Sequence, residues 1–149
     1  MNAAKDFPLY QFHKTGLPQG PLPLAMIESP YRGDLQRNRT YLLRLIRYVT
    51  LELGYSPYAS HLMLTTALDD NLAAERRLGI MAGYAWAFRA DLAFFGTDYG
   101  YSSGMAQARD YYESIKLECI DIKIGENDAL ENPEAETDDG RRSARPGVR

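Results

Sequence analysis

Between residues 24 and 124, short apolar runs alternate with stretches whose apolar residues recur at helical spacing. That alternation leaves few folds open to the chain. The first run, Leu24-Ala25-Met26-Ile27, suits a buried strand near 24–28. Behind it Leu35, Leu42, Ile46, Val49 and Leu53 predict a helix over 35–53, closed by Gly54. "YSPYAS" (55–60) predicts a second strand, with Pro57 suiting a sheet edge or a strand end. "HLMLTTALDDN" reads as a loop, and a second helix is expected over 72–89 with Asp70 or Asn71 as its N-cap. A strand "DLAFFG" (91–96), a helix near 104–116 and a strand "CIDIKI" (119–124) complete the series. Strands alternating with helices imply right-handed crossovers and a parallel sheet. The expected fold is α/β, a flavodoxin- or Rossmann-like three-layer sandwich with about four strands in the order 2-1-3-4. Gly79 and Gly83, four residues apart on the second helix, suggest a close helix–sheet approach.

The expected domain covers residues 23–125. Residues 1–22, with three prolines and two glycines, read as an irregular arm. Residues 126–149 are polar and poor in core formers, and read as a disordered tail. From Glu126 onward there are seven acidic residues and four arginines, which accounts for the net charge of −3. The preceding 125 residues carry 13 acidic and 13 basic side chains. A neutral body argues against duplex nucleic acid as partner. No apolar run approaches the ~20 residues of a membrane span, and the N-terminus lacks the apolar stretch of a secretory signal. Cys119 is the only cysteine and reads as a structural thiol in a strand. His13 and His61 make no metal-ligand spacing, so neither a metal nor a cofactor is expected. These features fit a reducing cytoplasm.

Parallel topology carries the three strand-to-helix loops to one edge of the sheet, where open α/β sheets bind ligands. The first loop brings Ser29, Tyr31, Arg32, Gly33 and Asp34, and the tripeptide Arg32-Gly33-Asp34 therefore reads as a junction rather than an adhesion motif. The second brings His61, Thr65, Thr66, Asp69 and Asp70. The third brings Asp98, Tyr99, Tyr101, Ser102, Ser103 and Gly104, followed by Met105. Carboxylates can accept sugar hydroxyls, tyrosines can stack on a base, and helix N-termini can hold a phosphate. Asp34 and Asp70 are equally well placed as caps, and Ser103 suits a cap better than a nucleophile. Asp98, directly after an apolar strand and ahead of a Gly/Ser/Tyr loop, is the acid that turn chemistry explains least.

"ESPYRGDLQRN", "GYSPYASHLMLTTALDD" and "ERRLGIMAGYAWAFRADLAFFGTDYGYSSGM" resemble small, often phage-encoded proteins related to nucleoside 2-deoxyribosyltransferases, of the DUF4406/DUF7768-like type. The resemblance covers about residues 24–124 and implies a flavodoxin-like fold, a homo-oligomer and a nucleoside or nucleotide ligand. It further implies chemistry at an N-glycosidic bond, with Asp98 holding sugar hydroxyls, Asp69 or Asp70 contacting base or proton, and Ser29 and Arg32 meeting phosphate. The transferases use a glutamate nucleophile on the helix after the Ser-Gly turn, and the matching position is Ala108. Asp110 and Glu113 point about 160° and 140° away from it on a regular helix. Catalyst and non-catalytic nucleotide-sequestering or interaction module both stay open.

Overall fold

The computed structural model describes residues 16–126. In chain order the elements are β1 (Leu24–Glu28), α1 (Leu35–Leu51), β2 (Ser56–Tyr58), α2 (Ser60–Ala67), α3 (Ala73–Ala87), β3 (Leu92–Gly96), α4 (Ser103–Ser114) and β4 (Glu118–Ile122). The strands form one sheet in the order β2-β1-β3-β4, every pairing parallel. This is the expected order. The chain leaves β1 toward β2 and then crosses back to β3, so the switch point lies between β1 and β3.

Side-chain alternation along β1 assigns the two layers. Ala25 and Ile27 pack with Tyr41, Leu42, Leu45 and Val49 of α1. Met26 points the other way, into a core of Ala87, Phe95, Met105, Ala108 and Tyr112 from α3, β3 and α4. Every residue of β3 is buried, which is why its apolar run is unbroken. Pro57 sits in the edge strand β2, where its missing N–H is tolerated. Gly54 has φ 73°, a left-handed conformation that ends the α1 segment where the sequence placed its stop.

Four local expectations are corrected. The segment expected as a loop after β2 contains the helix α2. None of its residues is buried as a whole, and it carries no periodic apolar signal. The Thr65 and Thr66 hydroxyls donate to the carbonyls of His61 and Leu62, one turn back, so these polar side chains stay within the helix. The N-cap of α3 is Leu72, with no side-chain bond, rather than Asp70 or Asn71. Asp69 instead closes the turn before it by accepting from Asn71 N, while Glu75 accepts from Asp69 N. The N-cap of α4 is Ser102, whose Oγ accepts from Met105 N at 3.2 Å; Ser103 is already helical. Finally, Gly79 and Gly83 serve a helix–helix approach. A Cβ on Gly83 would lie 2.9 Å from Ser60 Cβ, and one on Gly79 would touch Leu68 and Leu64.

Of the expected arm, residues 16–22 hold no helix or strand. The rest of the arm, and the tail beyond Glu126, lie outside the described residues. No helix among the described residues is long and apolar enough to cross a membrane.

Candidate functional site

The turn after β1 is built first. Gly33 has φ 95°, which reverses the chain before Asp34, and Asp34 caps α1 by accepting from Arg37 N at 3.0 Å. Asn38, one turn into α1 and buried, donates through Nδ2 to the carbonyls of Tyr31 and Arg32 at 3.1 and 2.9 Å. The loop is thereby tied down at two successive carbonyls, which fixes Ser29, Tyr31 and Arg32 at the strand end.

There the sheet opens into a cleft of ≈ 260 Å³ between the end of β1, the helices α2 and α3, and the start of α4. Of the residues expected at a site, Ser29, Tyr31, Arg32, His61, Thr65, Asp70, Ser102, Ser103, Gly104 and Met105 line it. Ser29 is buried, and its Oγ shares a 3.0 Å hydrogen bond with His61 Nε2. Burial lowers His61 to about 4, so the imidazole is neutral at neutral pH. Its Nδ1 is buried with no partner. At the rim, Arg32 donates to Asp70 Oδ2 at 3.3 Å, and Arg76 approaches the same oxygen at 3.7 Å. Ser103 and Gly104 begin α4 at the cleft wall, where first-turn N–H groups lack intrahelical partners.

The remaining expected residues do not line it. Gly33 and Asp34 build the turn, and Asp69 closes the turn before α3. Asp98 faces α1. Its carboxylate accepts from Tyr41 Oη at 2.5 Å, Gly125 N at 2.7 Å and Ile124 N at 3.0 Å. Burial alone would raise this carboxyl, but those hydrogen bonds outweigh it and hold it below its ordinary value. Tyr99 packs edge-on against Tyr41 at 5.0 Å, with the Arg37 guanidinium over its ring. Asp98 and Tyr99 are therefore already engaged on the α1 side of the sheet.

Glu28 and Tyr112 are among the lining residues that the sequence reading does not single out. Glu28, the last residue of β1, shares Met26's side of the sheet, and its Oε1 accepts from Tyr112 Oη at 2.5 Å. Burial pushes its carboxyl up to about 7, against the lowering effect of that hydrogen bond. Burial also holds the Tyr112 phenol protonated, well above its ordinary range, so it remains a donor. Alternation along "LAMIE" already put an acid on a core-facing register, which was the available signal.

Ala108 lines the cleft one turn before Tyr112. Asp110 is exposed, and Glu113 pairs with Arg109 at 3.7 Å, so neither acid of α4 faces the cleft. Burial raises Cys119 to about 11, leaving an unreactive thiol in β4. Among the described residues no group of three or more His, Cys, Asp or Glu is placed to hold a metal ion.

A family model described as a domain of unknown function (DUF7768) matches residues 23–122, the whole sheet and its helices. The chain belongs to the DUF7768 family. No curated protein matches it. The family boundaries enclose every residue that lines the cleft.

Proposed function

We propose that the cleft binds a nucleoside or nucleotide and that the chain is a deoxyribosyltransferase-like protein acting at an N-glycosidic bond. One observation carries the reading. Ser29, Arg32, Asp70 and the N-terminus of α4 converge on a single cleft at the β1/β3 switch point, where sheets of this topology take ligands. Arg32 and the first-turn N–H groups of α4 supply a phosphate site. Tyr31 supplies an aromatic face, and Asp70 an acceptor for hydroxyl or amino groups. A non-catalytic, nucleotide-sequestering role uses the same contacts, and Ala108 at the cleft wall favours it as the second reading.

Thermal melts with nucleosides, their monophosphates and ADP-ribose-like compounds test the reading. A ligand at a hundred times its dissociation constant adds about 2.7 kcal/mol to stability. A panel without any shift or calorimetric heat overturns it. Leu78, Met81 and Phe88 are also exposed, at 61%, 65% and 65%, and we assign that surface of α3 to contact between two copies of the chain. Tyr84, by contrast, stacks on Tyr111 within one chain, and Trp86 on Tyr58. Light scattering at tens of micromolar giving the monomer mass would remove that assignment.

A further inference from the structure

Glu28 has a position that neither packing nor ion pairing explains. It is a carboxyl on the same side of the sheet as Met26, the side that holds the core of Phe95, Met105 and Ala108. Tyr112 Oη is its one hydrogen-bond partner among the described residues, and that bond occupies Oε1. Oε2 has no partner, and it is not among the buried polar atoms left without one. It is therefore open on the cleft side. No arginine or lysine neutralises the group, since Arg32 and Arg76 are engaged with Asp70 at the rim. A core-facing acid with one oxygen fixed and one presented to a cavity is arranged to hold a proton and pass it on.

We propose that Glu28 is the proton-transfer residue of the cleft, serving first as acid and then as base in hydrolysis of an N-glycosidic bond, with Tyr112 as its positioning residue. This rests on the nucleoside reading of the site. In the first step the Oε2 proton goes to a ring nitrogen of the base. The C1′–N bond breaks and its electron pair stays on the glycosidic nitrogen, so the base leaves neutral. Water then adds to C1′ and gives its proton to Oε2. The products are free base and a sugar with a C1′ hydroxyl, and Glu28 ends protonated as it began.

The surroundings suit such a cycle. The titratable groups facing Glu28 are Tyr112 from α4, Tyr84 from α3 and Cys119 from β4, all neutral at neutral pH and all raised, chiefly by burial. Nothing cationic fixes the carboxylate form, and the value of about 7 leaves both forms populated at neutral pH. Ser29 and His61 sit at the adjoining wall, and the neutral imidazole adds no charge.

The full chain is incubated with purine and pyrimidine nucleosides and their 5′-monophosphates from pH 5 to 9. Binding is followed by calorimetry and free base by chromatography. The expected result is base release that declines on the alkaline side of about pH 7. Glu28→Gln should bind within about twofold of the parent, release base at least ~100-fold more slowly, and lose the alkaline limb. Tyr112→Phe should fold, release base and move that limb to higher pH, because the bond that favours the carboxylate is gone. A purely structural tyrosine would leave the limb in place. Binding without base release, or a Glu28→Gln variant with the parent's rate, overturns the role of Glu28 and leaves the ligand reading standing. The absence of binding by every compound removes both.

Discussion

Asp98 follows β3 and Glu28 ends β1, so two carboxylates stand on adjacent strands but on opposite faces of the sheet. Asp98 meets one hydroxyl and two backbone N–H groups, and these hold its proton affinity down. Glu28 meets one hydroxyl in apolar surroundings, and burial wins. Glu28 is the more deeply buried and has one donor, so desolvation wins, whereas Asp98 is less buried and has three, so its hydrogen bonds win. The comparison extends to the layers they belong to. The α1 face is closed down to Gly96, where a side chain would strike Leu45 and Tyr41. The α3/α4 face is held open by the cleft.

The largest expected effect breaks the Asp98 side. Asp98→Ala leaves the N–H groups of Ile124 and Gly125 and the Tyr41 hydroxyl without their acceptor. Loss of hydrogen bonds to a charged group predicts destabilisation of about 3 kcal/mol, measured by urea denaturation, with ligand affinity unchanged. An affinity loss with intact stability would move Asp98 back to the ligand. Gly96→Ala comes next. Its Cβ would lie 2.7 Å from Tyr41 Oη and against Leu45, and overpacking of that kind costs about 2 kcal/mol. A melting temperature equal to the parent's would show that α1 can slide on the sheet.

The sequence displayed one side of this comparison far better than the other. Strand order and all four strands were legible because β3 is apolar throughout and β1 alternates between two cores. α2 was not, since its residues are partly buried or exposed and periodicity registers only regular burial. Asp98 looked like the site acid because it followed an apolar strand, yet its donors come from residues 41, 124 and 125, distant in sequence. Glu28 was passed over as the end of a strand. Its partner Tyr112 lies 84 residues away, so only the folded chain brings them together. Most of the residues expected at a site line one cleft because loop convergence follows from topology alone.

The Glu28 side is sharpened by pH. Its pKa is raised from 4.5 to about 7, so the folded chain holds this proton longer than the unfolded one. Stability is full below the unfolded value and declines as pH rises through about 7. His61, lowered from 6.5 to about 4, acts in the opposite sense and costs stability as pH falls through that window. The two effects oppose each other where their windows overlap, between about pH 4.5 and 6.5, and flatten the parent's profile there. Glu28→Gln removes one of them. It should be more stable than the parent at pH 8 by about 1 kcal/mol, a figure reduced for the surface that the residue keeps open to the cleft. At pH 5 the two proteins should be nearly equal. An equal gain at both pH values would mean that packing rather than ionisation is responsible.

Asp70 gives the smallest effect, because it is the third kind of carboxylate in this comparison. It has two arginines rather than neutral donors, but it stands at the rim, where its side chain is 34% exposed and those of Arg32 and Arg76 are 64% and 41% exposed. Coulomb attraction there is screened by water and offset by the entropy of holding three long side chains, so such pairs contribute less than about 1 kcal/mol. Asp70→Asn should therefore change stability by no more than ~0.5 kcal/mol at 0.15 M salt, and the difference should vanish at 1 M. The same substitution frees Arg32 and Arg76 from their acceptor. Under the nucleotide reading, affinity for a monophosphate should then rise relative to the unphosphorylated nucleoside. Calorimetry with the matched pair of ligands measures that ratio. A ratio unchanged from the parent would place the phosphate away from Arg32 and Arg76, and leave the N-terminus of α4 as its remaining anchor.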